Sequence, residues 1–182
     1  VGEYTPKHYL LNPDEYVSMG PLDLQNYFFE HRKQLADAMV GAKEIIKEVS
    51  EEFYQLTGRK YDLYEKYMMD DAEVGVVVLN STAGTAKDAV DELRAQGVKA
   101  GLIKPRTFRP LPADELPEEL RNLKALAIMY KADSVNGYAA PLFTEITSAM
   151  YTKGLTVPTV DYVYGLGGVD VKVSDILKVS LL

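Results

Sequence analysis

The chain has 182 residues, 47% apolar and 26% charged, and its 27 acidic against 20 basic side chains give a net charge of −7. These proportions describe a globular domain and exclude a disordered tract; with no dense basic stripe to replace phosphate counterions, they also exclude a nucleic-acid binder. The absence of cysteine excludes a disulfide framework, a thiolate metal site, an iron–sulfur cluster and a cysteine nucleophile within this chain.

Residues 1–26, interrupted by Pro6, Pro13 and Pro21, are predicted to form an extended arm or linker from a preceding domain, with no room for a helix between the prolines. From about Tyr27 to Leu56 apolar residues recur at three- and four-residue steps (Leu35, Met39, Ala42, Ile46, Val49, Phe53), the signature of an amphipathic helix. Tyr61 to Tyr67 reads as a short second helix, so that 27–73 forms a helical segment packing on the α/β domain at 74–182. Val74 to Leu79 is a continuous apolar run, as expected of a strand buried on both faces. Asn80 to Thr85 then reads as a turn, and Ala86 to Arg94 as a helix. Gly97 to Ile103, Leu123 to Tyr130 and Val157 to Val163 are further strands. Helices are predicted at Ala113–Leu120, Pro141–Tyr151 and Val173–Leu182. Strands alternating with helices imply right-handed crossovers and a three-layer α/β sandwich with a mostly parallel sheet.

No apolar run approaches the ~20 residues that cross a bilayer, and no charged-then-apolar leader opens the chain; a cytoplasmic location without membrane contact is expected. The start at Val1 reads as a cut from a longer polypeptide.

Loops after parallel strands carry the candidate residues, because ligands bind beyond the carboxyl ends of such strands. Ser81, Thr82, Gly84 and Thr85 could meet an anion at a helix N-terminus; the simpler reading is that Ser81 or Thr82 caps the helix and Gly84 lets it pack closely. Arg106 and Arg109 flank Phe108 on a loop stiffened by Pro105 and Pro110, and suit bidentate recognition of carboxylate or phosphate; ion pairing with a partner's acids, ahead of the chain's own, is the plainer use. Gly165, Gly167 and Gly168 form a turn open to close backbone approach. His8 and His31 adjoin no acid–nucleophile set, and Asp70-Asp71-Ala72-Glu73 reads as a solvated loop. No catalytic centre and no metal site emerge from these residues.

Several stretches in order resemble the alpha subunit of pyruvate:ferredoxin oxidoreductase and its 2-oxoacid relatives, in the transketolase C-terminal-like domain that follows the pyrimidine-binding domain. They are Asn12-Pro13-Asp14 with Met19-Gly20-Pro21-Leu22, Glu51-Glu52-Phe53 with Thr57-Gly58-Arg59-Lys60-Tyr61, Asp70-Asp71-Ala72-Glu73, Ser81 to Lys87, Arg106 to Pro110 and Gly165 to Gly168. The resemblance implies part of an enzyme that oxidatively decarboxylates pyruvate or a related 2-oxoacid to acyl-CoA and reduces ferredoxin. It implies thiamine diphosphate, Mg and iron–sulfur clusters in the whole enzyme, with none bound by this chain. It further implies packing against the preceding domain, the beta subunit and other subunits, with CoA and ferredoxin meeting the whole enzyme. The chain departs from the family's pattern at Tyr130-Lys131, Ala139-Ala140 and Val169. The rival reading is a free-standing α/β module that binds a nucleotide, CoA or phosphate at the strand-end loops.

Overall fold

A computed structural model of the chain describes residues 2–5, 12–15, 20, 22–135 and 137–180. The chain divides into two compact units, Val1–Ala38 and Met39–Leu182. In the first, part of the expected arm, with His8, lies outside the described residues. The Asn12 side chain accepts the Asp14 amide. Helix α1, Phe28–Thr57, begins after a turn in which the Phe28 amide donates to the Leu24 carbonyl. His31 bonds the Asp23 carboxylate at 2.6 Å and stacks on Tyr27.

The second unit holds a five-stranded sheet in the order β1-β3-β2-β4-β5, made of Tyr64–Tyr67, Val74–Val78, Ala100–Pro105, Ala125–Tyr130 and Thr159–Val163 for β1 to β5. Strands β2 to β5 are parallel, and β1 runs antiparallel along β3. Alternation along each central strand divides its side chains between two cores. Val76, Val78, Leu102 and Met129 meet helices α2 (Thr82–Ala95) and α5 (Val173–Ser180). Val77, Ile103, Leu126 and Ile128 meet α3 (Leu116–Leu120) and α4 (Pro141–Thr152). This is the three-layer α/β architecture read from the sequence.

Two elements differ from expectation. Tyr64–Tyr67 is an edge strand and not part of a helix: the tyrosines at 61, 64 and 67 mimic a three-residue period, but the ladder to β3 fixes the backbone. Helix α2 starts at Thr82, so most of the Ser/Thr/Gly stretch is its first turn, and Asn80, at φ 59°, makes the bend alone. Ser81 makes no side-chain cap bond, and a Cβ on Gly84 would meet no atom within 4 Å, so this glycine serves no close packing. Helix α1 buries none of its residues outright, while Met39, Ala42, Lys43, Ile46 and Lys47 are half-buried.

Gly101 is fixed by packing: a Cβ there would stand 2.8 Å from the Met68 carbonyl oxygen and 2.9 Å from the Ala72 Cβ. Only glycine lets the 68–72 loop lie against β3. Arg94 secures the same loop from α2, donating to the Met68 and Ala100 carbonyls and to Asp71.

Candidate functional site

The parallel order places the carboxyl ends of β2, β4 and β5 side by side, and a cavity of 230 Å³ opens there. One wall is the start of α2, with Ser81, Thr82 and Thr85; the others are Lys131 after β4 and Tyr164 with Val169, Asp170 and Val171 after β5. Asn80 in the left-handed region turns the chain sharply enough that the hydroxyls follow β2 at once. Gly165 sits at φ 63°, and a Cβ on it would stand 3.0 Å from Lys131 Cε and 3.2 Å from the Val169 carbonyl oxygen. Backbone conformation therefore favours glycine here, and a Cβ would also press on the lysine stem that packs across it. Gly167 and Gly168 also take positive φ, 65° and 87°, but face open space.

Tyr164 is buried at 8% exposure. Burial pushes its phenol above the ordinary tyrosine value, against a hydrogen bond with Thr82 that works the other way. The Lys131 ammonium has no ion-pair partner among the described residues. The walls thus offer three hydroxyls, one phenol and one ammonium, with Asp170 the single carboxylate. Such a set can hold a small polar group, but it has no imidazole and no second carboxylate for paired acid–base work.

The predicted residues divide. Ser81, Thr82 and Thr85 line this cavity, with Gly84 exposed beside them and Gly165 behind Lys131. Arg106 and Arg109 do not line it. Arg106 donates to Glu65 at 2.6 Å and lies 4.5 Å over the Tyr61 ring. The same Glu65 carboxylate accepts a hydrogen bond from Lys87, which holds it below the ordinary glutamate value. Arg109 donates to Glu145 at 2.5 Å and stacks over Phe108. Both guanidinium groups are therefore engaged by acids of this chain.

Lys131 and Tyr164 escaped the sequence reading as site residues, although each is the first residue after a strand. Asp161 escaped it too. This carboxylate within β5 accepts the Ala140 amide at 2.7 Å, next to the start of α4, and its other oxygen is buried with no partner among the described residues. An acid inside an otherwise apolar strand was the available signal. Of the acidic loop, Asp71 pairs with Arg94, and Glu73 with Lys124 and Lys99.

The family described as pyruvate:ferredoxin oxidoreductase core domain II matches residues 72–176. Pyruvate synthase subunit PorA of Thermotoga maritima is 43% identical over 178 residues, 98% of this chain and 45% of that protein. PorA of Methanocaldococcus jannaschii is 36% identical over 97% of this chain and 45% of its own length. Ketoisovalerate oxidoreductase subunit VorA of Pyrococcus abyssi is 37% identical over 96% of this chain and 44% of its own. The chain thus spans under half the length of these curated relatives. Among solved structures, 2-oxoglutarate:ferredoxin oxidoreductase from Magnetococcus marinus aligns with a TM-score of 0.52 at 18% identity, covering 87% of this chain and 23% of that one. A split-gene transketolase, an inactive tetramer, gives 0.51 at 16% identity over 68% of this chain and 42% of its own. At those identities the structures speak for the fold, which is transketolase C-terminal-like.

Proposed function

The chain belongs to the pyruvate:ferredoxin oxidoreductase core domain II family, and from that footing we propose that it is a noncatalytic, subunit-interface domain of a 2-oxoacid:ferredoxin oxidoreductase. The whole enzyme would convert a 2-oxoacid and CoA to acyl-CoA and carbon dioxide while reducing ferredoxin. Pyruvate is the leading substrate, because most of the similar relatives are named for it. A branched 2-oxoacid is the second, after the ketoisovalerate subunit. The location proposed is cytoplasmic; no helix among the described residues is long and apolar enough to cross a membrane.

The observation that carries this reading is helix α1: thirty residues, amphipathic, with none buried. Apolar faces of that length are kept for something that covers them. The chemistry of the donors agrees. Without cysteine the chain does not fit an iron–sulfur cluster held by thiolates. The clusters therefore belong to other parts of the enzyme in this reading, thiamine diphosphate and Mg are placed there with them as the family resemblance implies, and no catalytic residue is assigned here. A free-standing anion-binding module is disfavoured, as both candidate arginines already meet glutamates.

The test is direct. Purified alone, the chain should show no pyruvate- and CoA-dependent reduction of a viologen dye, and no thiamine diphosphate binding by calorimetry. Combined with the remaining parts of its enzyme it should co-migrate with them. Turnover by the isolated chain would contradict the assignment.

A further inference from the structure

Viewed down its axis, the 39–57 portion of α1 presents three rows. The half-buried row includes Met39, Ile46, Lys43 and Lys47, and its lysines reach Asp114 and Glu115 ahead of α3. The second row is Ile45, Val49, Phe53 and Leu56, at steps of four, four and three, which share one helical face. These side chains are 60%, 57%, 41% and 84% exposed. Alongside runs the third row, Glu44, Glu48, Glu51 and Glu52, all exposed. Lys47 pairs with Glu44 and the Gln55 amide donates to Glu51. Glu48 and Glu52 have no partner among the described residues.

Glu48, Glu52 and the apolar strip do not serve the helix itself. Carboxylates four residues apart repel each other. Acids towards a helix C-terminus oppose its dipole, and α1 has no basic residue in its last turn to offset them. An apolar strip bordered on its open side by acids is, in contrast, a complete recognition surface. We infer that this strip docks into an apolar groove rimmed by lysines or arginines on a different subunit of the same complex, an inference that rests on the interface reading above.

Charge decides the occupant. A second copy carries the same net −7, and the lysines beside its strip, Lys43 and Lys47, turn inward to Asp114 and Glu115, so pairing two strips sets acids against acids. Complementary charge steers chains that meet by diffusion, which favours a separate subunit over another domain of the same polypeptide.

The experiment places p-benzoylphenylalanine at Val49 of the full-length polypeptide, irradiates the assembled complex, and sequences the cross-linked peptide by mass spectrometry. The same group at exposed Glu92 on α2 is the control. A Val49 cross-link to a Lys- or Arg-bearing segment of a different subunit is the result expected. The exposed substitutions Glu48→Lys and Glu52→Lys should together weaken that association roughly tenfold at low salt, with the difference shrinking at about 0.5 M NaCl as screening grows. An assembled complex in which Val49 cross-links to nothing, to a second α1 or to its own polypeptide overturns the inference and leaves the interface reading standing. A polypeptide that never assembles with other subunits overturns both.

Discussion

At Gly165 two separate demands fall on one residue: a left-handed backbone, and space for the Lys131 stem and the Val169 carbonyl. Gly167 meets only the first, since its φ is 65° and nothing stands within 4 Å of a Cβ there. Gly165→Ala is expected to destabilise the fold by about 1–3 kcal/mol, and Gly167→Ala by about 1 kcal/mol. Urea unfolding of the two variants separates the demands. Equal losses would mean that the lysine stem moves aside freely and that the 230 Å³ cavity owes nothing to Gly165. Arg106 shows how a residue suited to anion recognition becomes structural. Through Tyr61, whose ring also meets Phe53 of α1 at 5.6 Å, and through Glu65, shared with Lys87, it joins the end of α1 to β1 and α2.

Burial separates the helices sharply. Leu93 on α2 is wholly buried, whereas Ile45 on α1 is 60% exposed. Truncation to alanine should therefore cost about 2–5 kcal/mol at Leu93 and under about 0.5 kcal/mol at Ile45, read from denaturation midpoints of the same chain. A large loss at Ile45 would mean that α1 already buries its strip. Elements with this contrast were legible from sequence to different degrees. Strands β2 to β5 announced themselves as apolar runs such as Val74 to Leu79, because both faces of a parallel strand are covered. Strand β1 did not, because Tyr64-Glu65-Lys66-Tyr67 gains its conformation from pairing with β3, a contact that local periodicity does not encode. The start of α2 was hidden for a different reason: Ser81, Thr82 and Gly84 are turn-forming residues by type, and only Asn80's left-handed backbone lets the helix begin so soon. The cavity was half legible. That loops after strands would form it followed from the alternating pattern, but Lys131 and Tyr164 line the same cavity as Thr82 only because the sheet order is β2-β4-β5.

Across residues 39–182 the charged surface acts as one titrating system. Lys87 holds the Glu65 carboxyl below its ordinary value, as Arg94 does for Asp71, Lys124 for Glu73, Lys153 for Asp114 and Arg121 for Glu118. A carboxyl whose folded pKa is depressed binds protons less readily than it does unfolded, so its contribution is full above the unfolded pKa and is lost as pH falls through the folded one. Each exposed pair contributes little by itself, but all five act in the same direction. As the chain's 27 acidic side chains protonate in turn, its 20 lysines and arginines lose their counter-charges, and self-repulsion adds to the loss. The thermal midpoint should therefore fall steadily from about pH 5 to about pH 3, with a shallower slope in high salt. Glu65→Gln separates the local contribution from the global one. It removes the shared acceptor of Lys87 and Arg106, so the variant should be less stable than the parent at neutral pH and approach it as acid protonates the parent's Glu65, below the ordinary glutamate range. Parallel melting curves at every pH would show that this carboxylate is ionised to the same extent folded and unfolded, and that the network at the β1 edge holds by packing alone.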